Sequence, residues 1–240
     1  MNKPDLTCGA CPFHSLTRKG RQCVVTECYC DRQHPCHASA AELQRAIDAL
    51  RVHHREPRTV FVGSMCDLWS EGVEQAWRTR IYAAIEAVEN PDSAFVVLTK
   101  SPQNITEEDR RGWPAKLWVG ASLTGGPVAE WEHPDRDEMR WNLLCRSVPP
   151  ERRILCAEPL LGSVWESAGI PIGKSDIAAW IIIGPQTGGG AVRPERWWIK
   201  ELVTAGKDWD IPVWMKPACV DPRWGYPDLE LVRQKPEGVP

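Results

Sequence analysis

Two hydrophobic rhythms alternate along most of this chain. Six short apolar runs, "TVFVG" (59–63), "AFVVLT" (94–99), "LWVGA" (117–121), "RILCA" (153–157), "AWIIIG" (179–184) and "IPVWM" (211–215), are rich in β-branched and aromatic residues and nearly unbroken. Continuous apolar runs of this length mark strands buried on both faces. Between several of them the spacing changes to that of a helix. Val73, Trp77, Ile81, Ile85 and Val88 share one helical face, "PDRDEMRWNLLCRS" opens at Pro134, and "PERWWIKELVTA" opens at Pro194. Upstream, Ser39 and Glu42 form a capping-box signature before Leu43, Ile47 and Leu50, which predicts a helix over about 40–52. Strands separated by helices imply right-handed crossovers and a parallel sheet, so the fold class is α/β.

An open doubly wound sheet and a (β/α) barrel both satisfy this order, but no G-x-G-x-x-G follows an early strand. The polar residues favour the barrel. Nearly every run ends in small, polar or charged residues: "GSMCD", "TKS", "GASL", "CAEP", "GPQTGGG" and "MKPAC". Chemistry at the C-terminal ends of many strands is what a barrel mouth requires. Asp67, Lys100, Glu158 and Lys216 each stand just past a predicted strand, where they can bind a charged ligand or form a solvated ion-pair network at the rim. Ser64 and Ser122 are candidates for ribose or amine contacts, or else turn and cap residues. Gly184 and Gln186 begin a Gly-rich run that reads as a ligand loop or as a plain connection.

Thirteen tryptophans are unusual in 240 residues. Trp118, Trp180 and Trp214 fall inside predicted strands and are expected in the core, and of Trp197 and Trp198 on one helix only one can face inward. Trp69 and Trp113 fall in loops near the mouth, where they can pack or can stack on a base. "RVHHREPR" (51–58) is a basic stretch, read either as a phosphate contact or as a solvated helix end.

With 42% apolar and 25% charged residues the composition is that of an ordinary globular protein. A net charge of −3 announces no global basic field for nucleic acid. "MNKPDLTCGA" has no apolar leader pattern, and the longest apolar run, 177–183, is too short to span a bilayer. A soluble, cytoplasmic protein with no membrane partner is therefore expected. In a reducing compartment clustered thiols point to metal or redox chemistry rather than structural bridges. Cys23, Cys28, Cys30 and Cys36 lie within sixteen residues, preceded by Cys8 and Cys11 in "CGAC". Cys8 and Cys11 make half of a zinc knuckle, but the next four are separated by four, one and five residues. Spacing leaves structural zinc, an iron–sulfur cluster and redox-active thiols all open.

The blocks "VFVGSMCDLWSEGV", "FVVLTKSPQNI", "LWVGASL", "RRILCAEPLLGSV", "WIIIGPQTGGGAVRP" and "IPVWMKPAC" resemble, in order, those of a phage-derived radical-SAM-like protein family. The resemblance runs from about Thr59 to Cys219. It implies an incomplete (β/α) barrel of radical-SAM type with about six to seven parallel strands. It also implies a [4Fe–4S] cluster held by three of Cys23, Cys28, Cys30 and Cys36, with Cys8 and Cys11 as less favoured ligands. S-adenosylmethionine would be the cosubstrate, an electron donor would be a partner, and nucleic acid or a nucleotide is a candidate substrate. Two triads are open, Cys23/Cys30/Cys36 and Cys23/Cys28/Cys30, with "RQCVV" as a first barrel strand before the cluster loop. The family's "GGESG" reads "GPQTG" here, placing Gln186 where a carboxylate stands, and "KQWG" reads "KPAC", adding Cys219. The alternative is a non-catalytic barrel with a structural zinc or a closed iron–sulfur site, acting as a nucleic-acid-binding accessory protein. The expected organisation is a cysteine-rich segment over 1–38, a barrel body over 39–219 and a Pro-rich tail over 220–240.

Overall fold

The computed structural model describes residues 14–17, 20–23, 59–63, 67–69, 73–126, 136–170, 177–186, 191–221, 226 and 229–240. Near the N-terminus β1 (His14–Thr17) and β2 (Gly20–Cys23) form a separate antiparallel pair, with His14 opposite Cys23 and Thr17 opposite Gly20. "RQCVV" is thus not the first strand of the main sheet. Two strands joined by only two residues can pair only antiparallel, because a parallel crossover needs a dozen or more.

The main sheet has six strands: β3 (Thr59–Phe61), β4 (Ala94–Thr99), β5 (Leu117–Leu123), β6 (Arg153–Ala157), β7 (Trp180–Ile183) and β8 (Val213–Met215). Their spatial order is their chain order and they run parallel, with helices between most of them, so the fold is α/β. A sequential order has no switch point, unlike the doubly wound sheet that the sequence left as the other choice. The predicted helix over 40–52 and the basic stretch over 51–58 lie outside the described residues. Among the described residues no helix is long and apolar enough to cross a membrane.

Contacts divide the chain into two compact units, Met1–Val119 with Gly238–Pro240, and Gly120–Glu237. In the first, α1 (Gln75–Glu86) buries Ile81, Tyr82, Ala84 and Ile85, and Ala94 to Val97 of β4 are buried in succession, as a strand covered on both faces requires. The short α2 (Glu107–Gly112) has no counterpart in the sequence reading, since six residues are too few to show a period. It starts on a capping box: Asp109 N donates to Thr106 Oγ1, and Thr106 N donates to the Asp109 carboxylate.

In the second unit α3 (Arg136–Ser147), α4 (Val164–Ser167) and α5 (Arg196–Asp208) accompany β6, β7 and β8. Arg153 to Ala157 and Trp180 to Ile183 are buried throughout. Three strand ends differ from expectation by two residues, the first being β3, which stops at Phe61 rather than at 63. β5 continues past Ala121 to Leu123, whose carbonyl accepts from Glu158 N at 3.1 Å. β8 starts at Val213 rather than Ile211, because Ile211 N is committed to Gly206 O at the end of α5 and Pro212 has no N–H. The expected irregular tail is partly ordered on the β8 edge, where Met215 N donates to Val232 O and Gln234 N donates to Val213 O. Of the three strand tryptophans only Trp180 is buried. Trp118 and Trp214 are half-exposed, and cations of Arg233 and Lys235 lie 5.5 and 5.6 Å from the Trp214 ring.

Candidate functional site

Three neighbouring strand ends build the best-defined polar site. Glu158 is the first residue past β6, Gly184 the first past β7 and Lys216 the first past β8. The ladder holds them in step: Gly184 N donates to Ala157 O, Lys216 N to Ile183 O, and Leu160 N to Gly184 O. Lys216 Nζ donates to Glu158 Oε1 at 2.5 Å, with the lysine side chain 43% and the glutamate 26% exposed. Gly184 makes this possible. A Cβ there would lie 2.6 Å from Glu158 Cδ and 2.8 Å from Oε1, so the missing side chain is the space the carboxylate occupies. Cys219 sits beneath, in the turn Pro217–Val220, its thiol facing Ile183 O at 3.4 Å. Burial, with the nearby Glu158 charge adding to it, pushes this thiol up to about 12, so it stays neutral and unreactive near pH 7. In "KPAC" Cys219 is therefore a buried packing thiol.

The other strand-end charges form a different arrangement. Asp67 accepts from Trp69 N at 3.0 Å, Thr99 Oγ1 at 2.7 Å and Lys100 N at 2.7 Å. Its carboxylate thus ties its own loop to the end of β4, and it is the Lys100 amide that reaches it. Trp69 is 0% exposed and meets Trp113 edge to face at 6.2 Å, which removes Trp69 from the candidates for base stacking. Ser122 is not a loop residue: it lies inside β5 and is buried, because the strand runs two residues further than its apolar run suggests. Gln186 Oε1 accepts from Val192 N at 2.8 Å and braces the connection after β7. Ser64, Cys8, Cys11, Cys28, Cys30 and Cys36 lie outside the described residues, and Cys23 ends β2. Among the described residues no three His, Cys, Asp or Glu side chains are grouped to hold a metal ion.

A family model described as a protein of unknown function (DUF5131) matches residues 5–228. The chain belongs to that family. Curated proteins and solved structures give no significant match. The DUF5131 match spans the cysteine-rich segment as well as all six strand-end blocks, so both belong to one family unit.

Sequence reasoning passed over two further features of this DUF5131 protein. Asp137, buried on α3, accepts from Thr124 N at 2.9 Å, Gly125 N at 2.8 Å and Ser167 Oγ at 3.0 Å, with Arg136 beside it. It clamps the turn that follows β5. In that turn Gly125, at φ +76°, faces Gly162 so closely that a Cβ on Gly162 would lie 2.1 Å from Gly125 O. The signal was present as glycines shortly after two successive strands. The second feature is Tyr226, whose hydroxyl accepts from Arg193 Nε at 2.9 Å and donates to Pro194 O at 2.6 Å. Nothing local in "RWGYPD" marks that partner.

Proposed function

We propose that this chain is a radical S-adenosylmethionine-type iron–sulfur enzyme in which Glu158 and Lys216 receive the amino-acid end of the cosubstrate. The observation supporting this is a half-exposed carboxylate–ammonium pair at the C-terminal ends of β6 and β8, with the Glu158 carboxylate seated against Gly184 of the strand between them, in a sheet of sequential parallel order. The donor set fits a zwitterion: Glu158 matches an ammonium and Lys216 a carboxylate, each exchanging one charged partner for another. Cys23, Cys28, Cys30 and Cys36 offer the thiolate donors that an iron–sulfur cluster takes. A cluster held there would supply the electron for reductive cleavage of S-adenosylmethionine, the source of hydrogen-abstracting chemistry in such enzymes.

The chain's own part is placement. Asp67 fixes the loop after β3 to β4, Asp137 fixes the turn after β5, and Gln186 fixes the connection after β7. Cys219 packs beneath the pair with its thiol facing Ile183 O.

One observation favours the second reading, a non-catalytic barrel with structural zinc or a closed iron–sulfur site. Gln186 stands where the resembled radical-SAM-like family carries a carboxylate, and its amide oxygen accepts from Val192 N. Protein purified without oxygen separates the two readings. About four irons per chain, and 5′-deoxyadenosine released on reduction with S-adenosylmethionine, support the enzyme. About one zinc per chain, or iron with no 5′-deoxyadenosine, supports the alternative. In calorimetric titration Glu158→Gln weakens S-adenosylmethionine binding by about 1 to 3 kcal/mol, the range for a lost charge-assisted hydrogen bond. Unchanged affinity at normal cluster content would make the Glu158–Lys216 pair a rim ion pair only.

A further inference from the structure

Just beyond Gln186 the chain presents a surface that the site above does not use. Val192 and Trp197 are 51% and 50% exposed, two of the most exposed large apolar side chains among the described residues. Trp197 is held edge to face by the half-buried Trp198, with ring centroids 5.8 Å apart. Between Val192 and Trp197 stands Arg193, also exposed, whose guanidinium lies 4.4 Å from the centre of the Tyr226 ring while its Nε donates to the Tyr226 hydroxyl.

An exposed arginine is ordinarily a mobile side chain. This one is stacked and hydrogen-bonded, and the same tyrosine hydroxyl pins Pro194 O. The cost of ordering it is met in the unliganded protein, which favours recognition of a partner. Lys200, one turn further along α5, is exposed as well. Of the acidic residues here, Glu201 turns to Ser163, which donates to it at 3.2 Å, and burial raises its pKa; Glu195 is exposed.

We propose that Trp197 and Arg193, backed by Trp198 and Tyr226, bind single-stranded nucleic acid, with the indole stacking on a base and the guanidinium and Lys200 engaging phosphates. An exposed aromatic near exposed cations, one of them held in place, is the pairing that single strands use, and it is tolerant of sequence. The location suits a substrate surface. The segment follows the C-terminal end of β7, the strand between those that carry Glu158 and Lys216, and Val192 N donates to Gln186 just past that end. As a statement of the substrate class it rests on the proposed function; as a statement about binding it does not.

The test is fluorescence anisotropy of the full chain at low salt. The probes are labelled DNA and RNA single strands of about fifteen nucleotides, near the upper site size of one binding surface, and a duplex of the same length. Wild type binds at least one single strand more tightly than the duplex, and the DNA and RNA arms show which sugar is preferred. Trp197→Ala and Arg193→Ala each weaken binding at least about fivefold, Trp197→Phe retains most of it, and Glu195→Gln strengthens it. Arg193→Ala also lowers the slope of log affinity against log salt by about 0.7, the value for one phosphate contact on a single strand. Circular dichroism checks that the exposed-site variants stay folded. Absence of binding by wild type, equal affinity for the duplex, or unchanged affinity in folded Trp197→Ala and Arg193→Ala would overturn the proposal. The assay contains neither reductant nor S-adenosylmethionine, so an inactive chain that binds the strand fails only the radical reading, and an active one that does not fails only this one.

Discussion

Two glycines carry opposite consequences for substitution. At Gly162 a Cβ would meet the Gly125 carbonyl, a backbone atom held in place by the Asp137 clamp. At Gly184 it would meet the far end of the flexible Glu158 side chain. Gly162→Ala is therefore expected to cost about 3 kcal/mol of stability, the upper part of the range for overpacking, read as a fall in the urea midpoint. Gly184→Ala displaces a carboxylate whose half-exposed ion pair contributes about 1 kcal/mol or less, so the midpoint moves little. Its effect falls on the site, with S-adenosylmethionine binding weakened as in Glu158→Gln. Equal destabilisation by the two changes would contradict the idea that Gly184 exists to make room for Glu158.

The docking of α2 on α1 rests on one buried carboxylate. Asp109 is 0% exposed and accepts from Arg78 Nε at 2.8 Å, Gln75 Nε2 at 2.9 Å, Tyr82 OH at 2.9 Å and Thr106 N at 2.9 Å. Burial raises its pKa, but the hydrogen bonds from Thr106, Gln75 and Arg78 outweigh that and leave it below its ordinary 3.8. The Tyr82 hydroxyl is driven upward, first by burial and then by the Asp109 charge, so it remains a neutral donor. Because the folded pKa of Asp109 is depressed, its contribution to stability is present above pH 3.8 and is lost as pH falls through the lower folded value. Asp109→Asn leaves Arg78 buried without its counter-charge and is expected to cost about 3 to 5 kcal/mol at neutral pH. The same variant should show a shallower loss of stability on acidification below 3.8, measured by denaturant titrations across that range. An unchanged acid slope would move the pH dependence to other carboxylates.

For the molecule as a whole, the question is whether its fold depends on the thiols. Among the described residues, the hydrophobic side chains buried on β4 to β8 and on the helices beside them include none of the proposed ligands Cys23, Cys28, Cys30 and Cys36, and a chain of 240 residues has enough core to fold without a metal. Cys23→Ala and Cys30→Ala should each abolish iron binding while far-UV circular dichroism and thermal melting stay near wild type. Cys145→Ala, on α3, should keep full iron. A Cys145 variant that loses the cluster, with the other two retaining it, would reverse the ligand assignment.

The α/β class, the place of all six strands and the stations of Glu158, Gly184 and Lys216 one step past three of them were legible in the amino-acid order. Apolar runs and helical periods are local properties, and a residue's position after a run needs no knowledge of its neighbours. Partnership is not local. Glu158 and Asp67 look alike in sequence, each an acid just past a strand, yet one meets an ammonium 58 residues away and the other ties its own loop to the end of β4 through the Trp69 and Lys100 amides and the Thr99 hydroxyl. Trp69 and Trp197 are equally large and apolar, but the first is packed away and the second lies half in solvent. Which strand ends adjoin, which side chain a glycine admits and which indole is covered depend on the sheet order and on what packs over it, and those arise only when distant segments come together.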